Sequence, residues 1–186
     1  MARVRDVAID EVPAEAQPVY QRFADEYGPF LNQVKVFAHR PIALRHIMGM
    51  LLEMADEPIL DKRHLEIAIV TVSALNRCDY CVAHHGPRLL DFGLSSETIE
   101  KILQEDCPGL TPLDLLVRDY AAQITRDHNR VRDSQFDALR AHFSEAQMVE
   151  LTLRITLCTF FNKFNDVMQL EMEGEAVASG MVVPKS

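Results

Sequence analysis

The chain has 186 residues, 48% of them hydrophobic, which is enough for one ordinary globular domain with its own core. Its 28 acidic and 19 basic side chains give a formal net charge of -9, which would repel phosphate backbones and anionic lipid surfaces. The composition therefore argues against nucleic acid as a partner.

Charged residues of both signs interrupt the amino-terminal segment Met1–Glu11, so it lacks the apolar run of an export signal. The most apolar run, 47–55, is interrupted by Glu53 and falls short of the roughly eighteen apolar residues that a membrane helix needs. We therefore expect a cytoplasmic protein that does not span a membrane.

Hydrophobic residues recur at three- and four-residue steps along most of the chain, a spacing typical of amphipathic helices. Examples are Val19, Phe23 and Tyr27, followed by the segments 42–51 and 115–124. This pattern predicts an all-α protein with about seven to nine helices, on typical helix and loop lengths.

One segment allows two interpretations. Ile67–Val72 is β-branched and apolar on every side, as in a buried strand that would lead into the cysteine motif of a thioredoxin-like fold. No second convincing strand is available to pair with it. We therefore favour a fully buried helix from about Lys62 to Asn76, capped by Asp61 and surrounded by other helices.

The next segment, 78–85, carries most of the chemical information. It places Cys78 and Cys81 three residues apart and His85 four residues beyond the second thiol. On a helix these three side chains share one face. Thiolate is the reactive form of cysteine, and a nearby imidazolium or helix amino terminus lowers the thiol pKa from about 8.5. The spacing predicts a redox-active pair.

The two thiols are predicted to have different roles. His85 lies one turn after Cys81, so Cys81 is placed for attack, and Cys78 lies within reach as the resolving thiol. Attack on a peroxide would leave a sulfenic acid on Cys81, which Cys78 would convert to a disulfide before irreversible oxidation. A separate reductant must then reopen the disulfide.

Glu66 is the best candidate to orient the imidazole. If the chain bends near Arg77, two antiparallel helices would bring Glu66 and His85 together, because the two residues lie at comparable distances from the bend. A relay would then run from Glu66 through His85 to Cys81.

Each of these assignments has an alternative. The thiols could be two small buried side chains, His85 a packed histidine, and Glu66 a partner of the helix dipole. Zinc could be bound by Cys78, Cys81 and His85 with Glu66 as fourth ligand, although no second ligand pair with zinc-binding spacing occurs.

Neighbouring residues are assigned structural roles. Tyr80 is expected in the core, with a hydroxyl that could donate to the site, and His84 is expected to face solvent or a subunit contact. Cys107 is interpreted as a loop residue and Cys158 as a core residue. Pro87 cannot donate to the Ala83 carbonyl, so a kink is predicted there.

A second apolar helix is predicted over Ser144–Glu173, beginning with a capping-box pattern. The surplus of apolar residues over 151–164 is typical of a subunit interface. A shift of 84 residues pairs Glu150 with Glu66 and suggests two similar halves. We therefore expect a single helical domain over 1–186 that forms a homo-oligomer.

The pattern Glu66, eleven residues, Cys78-x-x-Cys81, three residues and His85 resembles the signature of alkylhydroperoxidase D-like proteins of the carboxymuconolactone decarboxylase-like superfamily. The similarity is strongest over 60–94. The resemblance implies an all-α fold in trimers or hexamers, no bound cofactor, and hydroperoxide reduction through a disulfide. It also implies a peroxidatic Cys81, a resolving Cys78 and a proton relay through the matching glutamate and histidine.

This chain departs from the best-known member of the family at Tyr80, where that member carries a histidine. The similarity also extends, as a pattern only, to 162–165. We interpret the chain as a thiol peroxidase or disulfide reductase for small organic hydroperoxides, recycled by a lipoyl-bearing or thioredoxin-like dithiol protein. The alternatives are a non-catalytic redox or zinc sensor and a decarboxylase, and the thiol pair disfavours the latter.

Overall fold

The computed structural model describes residues 2–26 and 30–181, so Tyr27 of the first helical pattern lies outside the described residues. Within these ranges the regular secondary structure is entirely helical, and no strand is found. The all-α prediction is therefore confirmed.

The α-helices follow one another along the chain. They are α1 (Gln17–Glu26), α2 (Leu31–Phe37), α3 (Pro41–Ala43), α4 (Gly49–Asp56), α5 (Lys62–Leu75), α6 (Asp79–Asp91), α7 (Ser96–Glu100), α8 (Pro112–Asp127), α9 (Asp133–Arg140), α10 (Glu145–Met168) and α11 (Gly174–Ser179). A π-helical segment, Leu44–Met48, joins α3 to α4, and short 3-10 helices lie at Ile9–Glu11 and His128–Arg130. The described residues thus form eleven α-helices, more than the seven to nine expected, because α3, α7 and α11 are short helices of three to six residues.

The described residues group into two compact units. The first lies within Met1–Pro58 and Val167–Ala178, and the second within Ile59–Asp166 and Ser179–Ser186. In the first unit the Arg3 amide donates to the Met168 carbonyl, which joins the amino-terminal segment to the later one. The second unit contains every predicted site residue, and the single domain over 1–186 stays a prediction.

Helix α5 is the most deeply buried helix of the second unit, with all residues from Glu66 to Ala74 buried. Its first turn is capped by Asp61, whose carboxylate accepts from the Arg63 amide at 2.8 Å. The helix packs against α6 and α8, which explains why it is apolar on all sides. The buried helix is confirmed, and the alternative of a strand over Ile67–Val72 is wrong.

The turn between α5 and α6 is centred on Arg77, which has a φ of 57°. The Cys78 amide donates to the Ser73 carbonyl at 3.0 Å and the Arg77 amide to the Ala74 carbonyl at 3.2 Å, the two bonds of a Schellman motif. The chain therefore bends at the predicted residue, and the next residue, Cys78, caps the start of α6.

Helix α10 runs without interruption over 24 residues. Its capping box is confirmed, because the Gln147 amide donates to Ser144 Oγ and the Ser144 amide to Gln147 Oε1. A shift of 84 residues places the turn at Arg77 on Phe161, in the middle of this helix. The suspected duplication is therefore not visible in these two segments.

Helix α6 continues through Pro87 to Asp91. The Ser179 hydroxyl donates to the Ala83 carbonyl at 3.5 Å, and this contact compensates in part for the amide hydrogen that Pro87 lacks. Across the described residues, the membrane-spanning criterion of length and apolar character is met by no helix.

Candidate functional site

The bend at Arg77 brings one face of α5 against α6. Glu66 extends from α5, whereas Cys81 and His85 extend from α6 and Cys78 lies at its amino-terminal cap. Both cysteines are free thiols. The structure thus assembles the four predicted residues within the second unit, while their catalytic roles stay predictions.

Glu66 and His85 form a close pair. The His85 ring nitrogen Nδ1 lies 2.7 Å from Glu66 Oε2, which confirms the predicted proximity. The other carboxylate oxygen accepts from Arg88 Nη1 at 3.0 Å. Because an ionised carboxylate only accepts hydrogen bonds, Nδ1 must carry the proton, and any exchange with a reacting group falls to Nε2.

The charges of this pair follow from its surroundings. Burial alone would raise the pKa of Glu66, but His85 and Arg88 outweigh it and hold that pKa at about 2. Burial lowers the pKa of His85 more strongly than Glu66 raises it, and Arg88 lowers it further. Near pH 7 the site therefore contains a carboxylate, a guanidinium and a neutral imidazole, which is the basic form of histidine.

The two thiols have opposite preferences. A hydrogen bond from Cys78 lowers the pKa of Cys81 despite burial, and the amides of Asn162 and Asn165 lower it further. The bond to Cys81, burial and the charge on Cys81 all raise the pKa of Cys78. The arrangement therefore favours a thiolate on Cys81 and a neutral thiol on Cys78, the direction expected for an attacking and a resolving cysteine.

The cause of the Cys81 shift differs from the one expected from the sequence. We expected an imidazolium at His85, but a neutral His85 contributes no positive charge. The stabilising groups are the neighbouring thiol and two amides. In particular, Asn165 Nδ2 donates to Cys81 Sγ at 3.3 Å.

Helix α10 supplies a buried polar network behind the thiols. Asn162 and Asn165 are 0% and 1% exposed. Asn162 Nδ2 donates to Ser73 Oγ at 3.2 Å, and Asn76 Nδ2 donates to Asn162 Oδ1 at 2.9 Å. Cys158 lies in the same network, with its Sγ 3.4 Å from Ser73 Oγ. These contacts fix the orientation of the α10 face that carries Asn165.

Sequence reasoning gave no chemical role to Asn162, Asn165 or Arg88. A signal was present for the two amides, because polar side chains on a helix that is apolar around most of its circumference need buried partners. No comparable signal identified the partner of Asn165, which is Cys81, 84 residues earlier in the chain. Arg88 was overlooked although it lies one turn beyond His85 on α6.

Access to the thiols is narrow. Cys78 is 0% exposed and Cys81 is 4% exposed, whereas the Arg88 side chain at the edge of the site is 30% exposed. Both thiols are therefore buried in this structure, Cys78 completely and Cys81 almost completely. Any substrate must be small, or its binding must open the site locally.

Of the structural roles predicted for residues near the motif and for the other two cysteines, some are confirmed and one is wrong. Tyr80 is buried, as expected for a core residue. His84 was expected to face solvent or a subunit contact, which is wrong because the chain itself buries it. Its Nδ1 lies 2.5 Å from the Tyr80 carbonyl oxygen, and the two rings lie 4.2 Å apart. The cause is helical spacing, since His84 follows Tyr80 by one turn and packs on it. Cys107 lies in a loop and Cys158 in the core, both as predicted.

The metal alternative has no geometric support in the part of the chain that the structure describes. Within it, no group of three or more His, Cys, Asp or Glu side chains is arranged to hold a metal ion.

Similarity to known proteins is clearest at the level of fold. Residues 41–109 match the model of the carboxymuconolactone decarboxylase family. No curated protein sequence matches the chain. An alkylhydroperoxidase AhpD core structure, an uncharacterized peroxidase-related protein from Ralstonia eutropha, superposes with a TM-score of 0.79 and 20% identity, covering 98% of this chain and 97% of that one.

Two further structures have a similar fold. An uncharacterized peroxidase-related protein from a Silicibacter species gives a TM-score of 0.76 with 21% identity, covering 92% of both chains. The debrominase Bmp8 gives a TM-score of 0.75 with 18% identity, covering 95% of both chains. A variant of Bmp8 has been solved in complex with 2,3,4-tribromopyrrole.

Proposed function

We propose, on the premise that this chain is an alkylhydroperoxidase D-like protein of the carboxymuconolactone decarboxylase superfamily, that it reduces small organic hydroperoxides through Cys81 and Cys78. The observation that carries the proposal is the unequal pair of thiols, of which only Cys81 is stabilised as an anion. A thiol pair with a purely structural role does not require this asymmetry.

The first step is attack by the Cys81 thiolate on the outer oxygen of the hydroperoxide. An S–O bond forms, the O–O bond breaks, and the alkoxide that leaves must receive a proton. His85 is placed to carry that proton, because it is neutral at rest and Glu66 would stabilise its cation after it takes the proton of Cys81. The products are an alcohol and a sulfenic acid on Cys81.

The second step closes the disulfide. Cys78 attacks the Cys81 sulfenic acid, an S–S bond forms, the S–O bond breaks, and water leaves. A dithiol protein, lipoyl-bearing or thioredoxin-like, then exchanges with the disulfide and restores both thiols. The opposite pKa shifts support this order, since Cys81 is the thiol that is favoured as an anion.

Variants at single cysteines test the proposal. Cys81→Ser should reduce hydroperoxide turnover with a dithiol reductant to the uncatalysed rate. Cys78→Ser should still consume about one equivalent of hydroperoxide and then stop as a sulfenic acid. Cys107→Ser is the matched control and should keep full activity, because its thiol bonds to the Thr98 carbonyl outside the site.

Two results would count against the proposal. A Cys81→Ser enzyme that keeps turning over would show that the attacking thiol is assigned incorrectly. A wild-type protein that binds stoichiometric zinc and loses no thiol when hydroperoxide is added would favour the redox or zinc sensor.

A second candidate is reductive debromination, which the similarity to Bmp8 favours. The same thiolate would attack bromine, breaking the carbon–bromine bond while a proton is added to the ring carbon. Cys78 would then displace bromide and form the disulfide. Bromide release from 2,3,4-tribromopyrrole, measured beside hydroperoxide consumption under the same dithiol reductant, decides between the two substrates.

A further inference from the structure

The carboxylate of Glu66 is shared between two residues of α6. Its Oε2 lies 2.7 Å from His85 Nδ1, and its Oε1 accepts from Arg88 Nη1 at 3.0 Å. His85 and Arg88 are three residues apart on α6, so their side chains lie on the same side of the helix and reach one carboxylate of α5. Each oxygen of Glu66 therefore bonds to a different residue.

Burial makes the charge balance of this group important. The side chains of Glu66 and His85 are 8% and 10% exposed, and that of Arg88 is 30% exposed. A charge without a partner is costly in such surroundings, because it loses its hydration and gains nothing in return. Arg88 is always protonated and already balances the carboxylate. A proton taken up by His85 would leave the buried group with a net positive charge.

We propose that Arg88 is a positioning residue for His85: it occupies one oxygen of Glu66, balances its charge, and so keeps the imidazole a neutral base at rest. The inference deepens the proposed function, on which it rests for the use of His85 in proton transfer. Without Arg88, Glu66 would pair with a protonated His85. A histidine in that form cannot take the Cys81 proton.

The same charge balance permits the proton transfer that turnover needs. When the Cys81 S–H bond breaks and its proton moves to His85, one sulfur becomes negative as the imidazole becomes positive. The total charge of the site is unchanged. The proton then passes from His85 to the departing alkoxide, which leaves as an alcohol. Arg88 therefore opposes uptake of a proton from solvent without opposing transfer of a proton within the site.

The other groups around His85 agree with this role. Burial has the largest effect on the His85 pKa and lowers it, whereas Glu66 of α5 raises it. Arg88 and His84, both on α6, lower it further. From α10, the charge of Asp166 raises the pKa of both thiols. Of the groups that lower the His85 pKa, Arg88 also bonds to the carboxylate that raises it.

Arg88→Gln tests the proposal, because it removes the permanent charge and keeps a polar side chain. The ring signals of His85, followed by NMR from about pH 5 to pH 9 and assigned by their loss in His85→Gln, report its titration. We expect the His85 midpoint to rise by about one pH unit, which is a tenfold change. Arg88→Met, which also lacks the charge, should give the same rise and provides a second variant.

The pH profile of turnover provides a second readout. Turnover needs a neutral His85 to receive the Cys81 proton, so the acid limb of kcat/KM for cumene hydroperoxide should move up with the His85 midpoint. Well below that limb, Arg88→Gln should turn over about tenfold more slowly than wild type. At higher pH its rate should return to the wild-type range, whereas damage to the fold would lower the rate at every pH.

Two control variants remove simpler explanations. Arg88→Lys keeps the positive charge and should restore most of the wild-type midpoint. Arg126→Gln removes an exposed positive charge from α8 and should leave the His85 titration unchanged. A His85 midpoint that stays at its wild-type value in Arg88→Gln and Arg88→Met, whatever the loss of turnover, would assign Arg88 a structural role and overturn the proposal.

A double variant shows whether Arg88 acts through Glu66. In Glu66→Gln the imidazole has no carboxylate to pair with. Adding Arg88→Gln should then move the His85 midpoint by less than about half of the change seen with Glu66 present. An equal change in both backgrounds would show that the guanidinium acts on His85 directly, and the positioning role would be wrong.

The titration needs no oxidant, so this proposal and the proposed function can fail separately. A His85 midpoint that rises in Arg88→Gln and returns in Arg88→Lys supports the role of Arg88 even if the wild-type protein ignores hydroperoxide. That combination would overturn only the peroxidase activity. Consumption of hydroperoxide by wild-type protein, with a His85 midpoint that does not respond to Arg88, would overturn only the inference.

Discussion

At the scale of single residues, hydrogen bonds make two chemically identical thiols unequal. Cys78 and Asn165 donate toward Cys81, and the Cys81 charge in turn keeps Cys78 protonated. Both thiols are buried, so burial alone would raise the pKa of each. The difference between the two thiol pKa values therefore depends on which sulfur accepts hydrogen bonds.

This difference can be titrated. Asn165→Ala should raise the Cys81 pKa by about one unit, the effect of losing one hydrogen bond to a charged acceptor. Cys78→Ala should raise it further, because the Cys78 bond is the largest favourable contribution. Thiolate absorbance at 240 nm against pH measures both shifts, since burial raises the pKa of Cys107 and Cys158 and separates their signals. An unchanged Cys81 titration in both variants would contradict the assignment.

Glu66 should make stability depend on acidity. Its folded pKa of about 2 lies below the ordinary value of 4.5, so its contribution is fully present above pH 4.5 and is lost as the pH falls toward 2. Glu66→Gln should therefore flatten the fall of the unfolding free energy between pH 4.5 and 2 and should lower its value at pH 7, as measured by urea denaturation.

Exposed Glu97 provides the control for this measurement. Its contact with Lys101 is solvated, so Glu97→Gln should change the unfolding free energy by less than about 1 kcal/mol. If both variants behave alike, the buried contacts of Glu66 do not stabilise the fold.

The site could be predicted from the sequence only where its contacts are local. The spacing of Cys78, Cys81 and His85 on one helix was sufficient to predict that their side chains share a face. The bend at Arg77 was sufficient to predict that Glu66 lies next to His85. The contact of Asn165 with Cys81 depends on how α10 packs on α6, a long-range arrangement that no short motif encodes. The charge state of His85 also depends on burial, which spacing does not reveal.

At the scale of elements, the α5–α6 hairpin positions the chemistry. Its first helix was ambiguous because β-branched residues suit a buried strand as well as a buried helix. The Asp61 cap and the length of the apolar segment favoured the helix, and the structure confirms it. For α10 the apolar composition predicted a helix correctly but suggested a duplication that its uninterrupted course does not show.

The turn at Arg77 stores strain that a glycine would remove. A φ of 57° is costly for a residue with a Cβ atom, about 1–2 kcal/mol, and cheap for glycine. Arg77→Gly should raise the unfolding free energy by about 1 kcal/mol after its entropy cost in the unfolded chain. Arg77→Val should lower it, because a β-branched side chain tolerates this conformation less well. Urea denaturation of both variants checks the sign, and a destabilised glycine variant would show that the Arg77 side chain itself supports the turn.

At the scale of the whole molecule, we propose that the chain assembles into trimers or hexamers. Large apolar side chains remain exposed along α10 within the second unit, among them Val149 at 68%, Leu153 and Phe160. Exposed apolar groups clustered on one helix are typical of subunit contacts. Helical composition alone predicted this surplus, but it could not predict the number of subunits.

Val149→Glu should weaken that assembly, because it buries a charge without a partner in the contact. Sedimentation velocity should show wild-type protein as an oligomer and the variant shifted toward the mass of a single chain. Asn129→Glu, at an exposed position in the 3-10 helix after α8, should leave the distribution unchanged. A wild-type protein that sediments as a monomer at micromolar concentration would contradict the proposed assembly.

Mass spectrometry of the peptide containing Cys78 and Cys81, after one equivalent of hydroperoxide and alkylation, tests the central claim most directly. The account predicts an internal disulfide between these two residues, absent from the untreated protein, with Cys107 and Cys158 still reduced. Recovery of both thiols fully alkylated, while hydroperoxide remains in solution, would contradict it.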